Sequence, residues 1–288
     1  MSVINSAFTD LGSGPPIVLL HGYPFDRSMW REQIEFLSAH GYRVVAPDLR
    51  GFGEMYDKLQ FVDDVENSEN DRQAEACRTI TTMADMARDV VALMDELEID
   101  RAVVCGLSMG GYVAFEFAHL FPERVSALVL AGTRAPADNE QEKQARAQQV
   151  EQMLAEGMNG IAEVTLPKLL APRTLAEKPA VVARVREMIL RADPQGAAAA
   201  QRGMAAKPDY SDDLPSIHVL ALVIVGRQDP IRPVADAEFM HRYIRDSRLE
   251  IIEDAAHMAN MEQPEAFNQV LVAFIEELRE RAVASPRS

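Results

Sequence analysis

The chain has 288 residues, of which 48% are hydrophobic, and its 29 basic and 45 acidic side chains give a formal net charge of −16. This length and composition are typical of one large α/β domain or of a core with an insertion. The negative charge repels nucleic-acid phosphates and anionic lipid surfaces, so neither nucleic acid nor a membrane is an expected partner.

Short apolar runs rich in β-branched residues alternate along the chain with longer segments of helical period. The strand candidates are residues 17–20, 44–46, 102–105, 128–131, 219–225 and 249–252. This alternation predicts a parallel sheet covered by helices.

Three helices can be placed from their apolar faces and their end signals. The first ends before Gly41, a residue suited to the position that follows a helix. The second follows Thr82, which together with Asp85 resembles a capping box. The third begins near Pro264 and is expected to cover one face of the sheet.

Two stretches break the alternation of strands and helices. Residues 54–75 hold eight acidic residues against two basic ones, which predicts a solvated loop, and their spacing does not match a calcium loop. Residues 133–208 lack a convincing strand and contain helical runs around 141–156 and 180–191. We interpret them as a helical insertion between two strands.

Ser108 lies between two glycines in the stretch AVVCGLSMGGYVAFEF. A strand candidate precedes it and a helical pattern follows it, and this order lifts a serine hydroxyl above a sheet at a sharp turn. Gly106 and Gly110 would remove the Cβ atoms that clash in so tight a turn. Ser108 is therefore the predicted nucleophile, and Cys105 beside it is expected to be a buried free thiol.

A hydroxyl nucleophile needs a base, for which the chain offers six histidines. His257 is the predicted base because it follows strand candidate 249–252, at the end where open α/β sheets build their sites. His21 also ends a strand, but Gly22 follows it at once and another role suits it better. The histidines predicted to have surface or capping roles are His40, His119, His218 and His241.

The base in turn needs an acid to orient it. Asp229 lies in a loop just beyond strand candidate 219–225, which places it at the same sheet edge as His257. Asp138 competes for this role, and Glu253 and Asp254 are nearer to His257 in sequence.

Main-chain N–H groups are the expected donors to the oxyanion. One is that of Met109, which follows the nucleophile. The other is that of Tyr23, in the loop of IVLLHGYPFDRSMW, where Gly22 lets the main chain turn.

Five motifs in chain order carry a family resemblance: HGYP, PDLRGFGE, GLSMGG, GRQDPIRP and AAHMANMEQPEAF. On these motifs nearly the whole chain resembles the α/β-hydrolase fold family. The nearest groups are small bacterial esterases, enol-lactone hydrolases and cofactor-free haloperoxidase-like perhydrolases. The resemblance implies an α/β fold with a mostly parallel central sheet, flanking helices and a helical cap.

The resemblance also implies a division of the chain. Residues 1–132 and 209–288 would form the core, residues 133–208 the helical cap, and residues 1–12 antiparallel edge strands. Two features depart from the family pattern: Ala256 stands where many relatives have glycine before the histidine, and the acidic loop 54–75 is longer than usual.

The function implied is hydrolysis of small, partly apolar carboxylic esters or lactones through an acyl-enzyme, with no metal and no cofactor. Ser108 argues against relatives that use an aspartate nucleophile to form an alkyl ester, such as haloalkane dehalogenases and epoxide hydrolases. Acyl transfer to peroxide or an alcohol, and slow turnover by a ligand-binding receptor, stay open. A hydroxynitrile lyase would need a cap lysine, for which Lys168, Lys178 and Lys207 are the candidates.

Two further expectations concern the surroundings of this chemistry. The N-terminal residues MSVINSAFTD lack a secretory signal and no run of about 20 apolar residues occurs, so we expect a cytoplasmic protein. The apolar residues of the insertion either line an acyl pocket or pack its helices onto the core. They include Met158, Ile161, Val164, Leu166, Leu169 and Leu170.

Overall fold

The computed structural model describes residues 7–55 and 80–284. In those ranges seven strands form one sheet in the order β1-β3-β2-β4-β5-β6-β7. The strands are β1 (Phe8–Leu11), β2 (Pro16–Leu20), β3 (Arg43–Pro47), β4 (Ala102–Leu107), β5 (Val125–Ala131), β6 (Ala221–Gly226) and β7 (Ser247–Ile252). β1 runs antiparallel to β3, and every other neighbouring pair is parallel. The parallel sheet predicted from the alternation is confirmed for six strands, and the antiparallel edge strand β1 agrees with the mostly parallel sheet that the resemblance implied.

The described α-helices follow the strands in the order expected for crossover connections. They are α1 (Arg31–Ala39), α2 (Met83–Glu96), α3 (Met109–Leu120), α4 (Glu140–Glu156), α5 (Met158–Leu169), α6 (Pro172–Glu177), α7 (Pro179–Arg191), α8 (Pro194–Ala205), α9 (Val234–Tyr243), α10 (Ala259–Glu262) and α11 (Pro264–Ala284). None of them, in the part of the chain that is described, is long and apolar enough to cross a membrane.

Burial of the strands explains their composition. Every residue of β4 and β6 is buried, because helices cover both faces of the centre of the sheet. Strands covered on both faces read as continuous apolar runs rather than as alternating ones. The edge strand β7 is only partly buried and accordingly carries charged residues.

The helix-end signals of the sequence correspond to real helix ends. α1 ends at Ala39, and Gly41 has a positive φ of 83°. Thr82 and Asp85 form the capping box at the start of α2, where the Asp85 N–H donates to Thr82 Oγ1 at 3.1 Å. Pro264 is the first residue of α11. All three predicted ends are confirmed.

The stretch between β5 and β6 is helical, as predicted, but it holds five α-helices, α4 to α8, rather than two. Pro172, Pro179 and Pro194 are each the first residue of a helix, where the missing N–H has no intrahelical partner to lose. Pro167 lies inside α5. We call residues 133–208 the helical insertion.

Two of the sequence expectations fall largely on residues outside the described ranges. Of the acidic stretch 54–75, only Glu54 and Met55 are described, and Arg27 donates to Glu54 at 3.0 Å. Of the edge strands expected in residues 1–12, β1 lies within the described ranges and residues 1–6 do not.

Candidate active site

Ser108 occupies the sharp turn between β4 and α3, with φ 56° and ψ −112°. A Cβ atom on Gly106 would lie 2.1 Å from the carbonyl oxygen of Gly110, and one on Gly110 would lie 2.1 Å from that of Leu20. Both glycines are therefore required by close approach of the main chain, as predicted. The Ser108 N–H donates to the carbonyl of Ala131 at 2.8 Å, which attaches the turn to the end of β5.

His257 and Asp229 form a buried pair beyond the carboxyl ends of β7 and β6. His257 Nδ1 lies 2.8 Å from Asp229 Oδ2, and the two residues are 3% and 4% exposed. The other carboxylate oxygen of Asp229 accepts the N–H groups of Ile231 at 2.8 Å and Arg232 at 2.9 Å. The carboxylate is thus fixed by its own loop, and its second oxygen faces His257 Nδ1. Because a carboxylate oxygen only accepts, this contact favours the tautomer with the proton on Nδ1 and with Nε2 as an acceptor.

The segment after β5 brings the serine turn and the histidine ring to one place. A Cβ atom on Gly132 would lie 3.5 Å from Nδ1 and Cε1 of His257. Next to it, the Thr133 hydroxyl donates to the carbonyl of Ser108 at 3.0 Å. Residues 131–133 therefore contact both the main chain of Ser108 and the imidazole of His257.

The two residues whose main-chain amides are predicted to face an oxyanion are Met109, which follows Ser108, and Tyr23, which lies in the loop after β2. Met109 is the first residue of α3, where an N–H has no acceptor within the helix. Gly22 packs against the serine turn, since a Cβ atom on it would lie 3.5 Å from Ser108 Cβ. Tyr23 follows in the same loop, and its phenol oxygen lies 3.7 Å from Met153 Sδ in the helical insertion.

The acids that competed with Asp229 in the sequence are engaged elsewhere. Arg134 and Arg146 pair with the buried Asp138, and although burial opposes ionisation, these two guanidinium groups lower the pKa of Asp138. Glu253 pairs with Arg227 at 2.7 Å. Asp254 pairs with Arg173 of the helical insertion at 2.8 Å.

His21 is buried and has a structural role, consistent with the different role suggested for it. Its Nδ1 lies 2.9 Å from the carbonyl of Gly22, and its Nε2 accepts the N–H of Leu49 at 2.8 Å. Burial lowers the pKa of His21, so the ring is held neutral between the loops after β2 and β3. The rings at His40, His119, His218 and His241 belong to exposed residues.

Two lysines of the helical insertion are held by main-chain carbonyls. Lys178 donates to the carbonyl of Glu262. Lys207 is buried, donates to the carbonyl of Pro136 and lies 4.7 Å from the centre of the Tyr112 ring, and its burial lowers the pKa of Lys207 to about 8. Lys168 is exposed.

One contact near Asp229 had no signal in the sequence. Arg232, three residues after Asp229, donates to the Tyr112 hydroxyl at 2.5 Å and 3.1 Å. Because Tyr112 lies one turn after Ser108 in α3, this contact joins the loop that holds Asp229 to α3. We call that loop, residues 227–233, the acid loop.

Within residues 7–55 and 80–284, no group of three or more His, Cys, Asp or Glu side chains could hold a metal ion. Cys105 is a buried free thiol, as predicted, and burial raises its pKa.

Comparison with known proteins identifies the family and the fold. A family model described as the alpha/beta hydrolase family matches residues 17–270. The chain belongs to the alpha/beta hydrolase family. This hydrolase is 30% identical to 3-oxoadipate enol-lactonase 2 of Acinetobacter baylyi, over 94% of the chain and 92% of that relative.

Solved structures of similar proteins include an esterase and an enol-lactonase. The thermophilic esterase of Thermogutta terrifontis, solved with malate bound, is 40% identical with a TM-score of 0.84, covering 94% of this hydrolase and 93% of that chain. The enol-lactonase of Burkholderia xenovorans is 28% identical with a TM-score of 0.80, covering 96% and 99%. The family resemblance seen in the five motifs is therefore confirmed.

Proposed function

We propose that this alpha/beta hydrolase cleaves carboxylic esters or lactones of small, partly apolar substrates. The observation that carries the proposal is the buried contact of 2.8 Å between His257 Nδ1 and Asp229 Oδ2, at the sheet edge where Ser108 occupies its turn. Relatives named enol-lactonase and esterase support the same reaction class.

In the proposed mechanism, Ser108 Oγ attacks the carbonyl carbon while its proton passes to His257 Nε2. Asp229 stabilises the imidazolium that forms. The carbonyl carbon then loses its bond to the leaving oxygen, which takes the proton from Nε2, and the acyl group remains on Ser108. Water, deprotonated by the same nitrogen, attacks the acyl-enzyme, and the returning proton restores the serine hydroxyl.

The negative charge that develops on the carbonyl oxygen needs donors placed before the reaction. We assign this role to the N–H groups of Met109 and Tyr23. Met109 begins α3, and the amino end of a helix also stabilises an anion through its dipole. Donors of this kind typically contribute about 100-fold or more to kcat.

We further propose that residues 133–208 act as a cap over a core formed by residues 1–132 and 209–288. Three contacts of the helical insertion support this: Met153 lies beside Tyr23, the Leu169 carbonyl accepts the Met258 N–H at 3.1 Å, and Arg191 pairs with Asp26 at 2.6 Å. The cap therefore touches the loops that carry both the histidine and a proposed oxyanion donor, where it can exclude water.

The direct test is turnover of p-nitrophenyl acetate by Ser108→Ala and His257→Ala, with His40→Ala as a control because His40 is an exposed histidine. We expect about 1,000-fold or greater loss of kcat in the first two variants and none in the control. Circular dichroism establishes that each variant is folded. Wild-type turnover in Ser108→Ala or His257→Ala would reject the mechanism.

A second experiment identifies the substrate class and the acyl acceptor. A panel of short-chain esters and lactones is assayed, and each active substrate is then supplied with methanol as a competing acceptor. Free acid as the sustained product supports hydrolysis. Methyl ester as the main product would instead indicate acyl transfer, and a burst of one acyl group per chain without further turnover would indicate a slow receptor-like protein.

A further inference from the structure

The peptide group between Ala255 and Ala256, one residue before His257, is held from two sides. Its carbonyl, that of Ala255, accepts the N–H of Gln228 in the acid loop at 2.9 Å. Its N–H, that of Ala256, donates to Glu262 Oε1 at 2.7 Å. Because only Ala256 separates this peptide plane from that of His257, the two bonds restrain the main chain that leads into His257.

The second oxygen of the same carboxylate binds the helical insertion. Glu262 Oε2 accepts the N–H of Ala171 at 2.7 Å, and Ala171 is the residue before α6. Glu262 is 0% exposed, so the carboxylate makes these bonds away from water. One buried side chain thus joins the histidine loop to the insertion.

The residue after His257 has its own bond to the same part of the insertion. The Met258 N–H donates to the carbonyl of Leu169 at 3.1 Å. His257 is therefore flanked on both sides by links to residues 169–171, one of them direct and the other through Glu262. Lys178 of the insertion donates to the main-chain carbonyl of Glu262 as well.

We propose that Glu262 is a positioning residue that fixes the position of His257 relative to the helical insertion. This inference rests on the proposed function, since it assigns His257 as the base. A shift of residues 169–171 would move the Ala255–Ala256 peptide through the carboxylate of Glu262. The orientation of His257 relative to Asp229 then depends on the position of the insertion against the histidine loop.

The chemistry of the site explains why a carboxylate is used. Burial raises the pKa of Glu262, while the N–H groups that it binds and the charge of Lys178 favour the ionised form. A glutamine would present one oxygen and one NH₂ group to two N–H donors, so one donor would lose its acceptor. A carboxylate alone among side chains of this length accepts on both atoms.

A second contact between the helical insertion and the loop that carries His257 lies at the surface. Arg173 pairs with Asp254, and both side chains are about half exposed. Exposed pairs of this kind contribute little to stability. The pair also makes no bond to the Ala255–Ala256 peptide. Asp254→Asn is therefore a matched control, because it weakens a contact between the same loop and the same insertion.

The experiment compares Glu262→Gln and Glu262→Asp with Asp254→Asn, using p-nitrophenyl acetate turnover and the low-field proton NMR signal of His257 Nδ1. The aspartate keeps the charge but is too short to reach both N–H groups. We expect both Glu262 variants to lower kcat by about 10- to 100-fold with KM changed less than about threefold, and to shift or broaden the signal. Asp254→Asn should leave kcat, KM and the signal at wild-type values.

Wild-type kcat and an unshifted signal in folded Glu262→Gln would overturn the proposal, as would equal losses in Asp254→Asn. If Glu262→Gln unfolds, the charge-retaining Glu262→Asp provides the same comparison, and hydrogen exchange at the His257 loop reports its order. The NMR signal reads the His257–Asp229 hydrogen bond whether or not an ester is turned over. Failure of the proposed function would instead appear as wild-type turnover that survives Ser108→Ala.

Discussion

Replacing Asp229 by asparagine tests the proposed roles of the buried pair with little change of shape. One oxygen of Asp229 accepts two main-chain N–H groups, those of Ile231 and Arg232 at 2.8 and 2.9 Å. In Asp229→Asn only an oxygen can satisfy these donors, so the amide oxygen should take this place. Its NH₂ group must then face His257 Nδ1, which lies 2.8 Å from the other oxygen in the wild type.

A donor opposite Nδ1 makes that nitrogen an acceptor and moves the ring proton to Nε2. Nε2 then cannot accept the proton of Ser108, and no carboxylate remains to stabilise an imidazolium. Losses of about 10,000-fold in kcat are typical when an asparagine inverts the tautomer in this way, equivalent to about 5 kcal/mol in the activation free energy. The fold should be retained because the acid loop keeps its two internal hydrogen bonds.

The measurement is kcat for p-nitrophenyl acetate, accompanied by the unfolding free energy from urea titration. Asp254→Asn is the control, since Asp254 is close to His257 in sequence but pairs with Arg173. We expect wild-type kcat in the control. A folded Asp229→Asn protein that keeps kcat within tenfold of the wild type would show that Asp229 does not orient the base.

Three other substitutions test separate parts of the structure. Tyr23→Phe keeps the main-chain N–H and removes only the phenol oxygen near Met153, so kcat should fall less than about tenfold. A loss as large as that of Ser108→Ala would instead assign oxyanion stabilisation to the Tyr23 side chain. Thr82→Ala removes the side-chain acceptor of the Asp85 N–H and should lower the unfolding free energy by about 1 kcal/mol in urea titration, whereas an unchanged value would contradict the capping box. Burial lowers the pKa of Lys207 from 10.5 to about 8, so between these pH values the unfolded chain binds more protons than the folded protein. Wild-type stability relative to Lys207→Met should therefore rise by up to about 3 kcal/mol across that window, and parallel stability curves would show that the lysine titrates normally.

The contact between Asp229 and His257 could be predicted because each residue follows a strand, and parallel strands deliver their carboxyl ends to one edge. The sequence left Asp138 as a competitor, since it also follows a strand. What separates the two acids is the pair of guanidinium groups around Asp138. Arg134 and Arg146 reach Asp138 through side-chain packing, and no local sequence pattern predicts that packing.

Sequence periodicity found the insertion between β5 and β6 but only part of its helices. The runs that matched α4 and α7 are long, whereas α6 has six residues and α8 is rich in alanine and glycine. A helix of six residues spans less than two turns, too few for a helical period to be recognised, and glycine has a low intrinsic helix propensity. The sequence did not predict the role inferred for Glu262 for a different reason. Its partners Ala171 and Ala256 donate main-chain N–H groups, which every residue type except proline carries.

The backbone at Ser108 has a consequence for anyone who selects heat-resistant variants of this protein. With φ 56° and ψ −112°, the residue adopts a conformation that glycine reaches freely and that other residues hold at a cost of about 1–3 kcal/mol. Ser108→Gly should therefore raise the melting temperature while removing the hydroxyl proposed to attack the substrate. Screens that score survival on heating alone are expected to enrich proteins that lack this hydroxyl, so each round of selection needs a turnover measurement beside the thermal one.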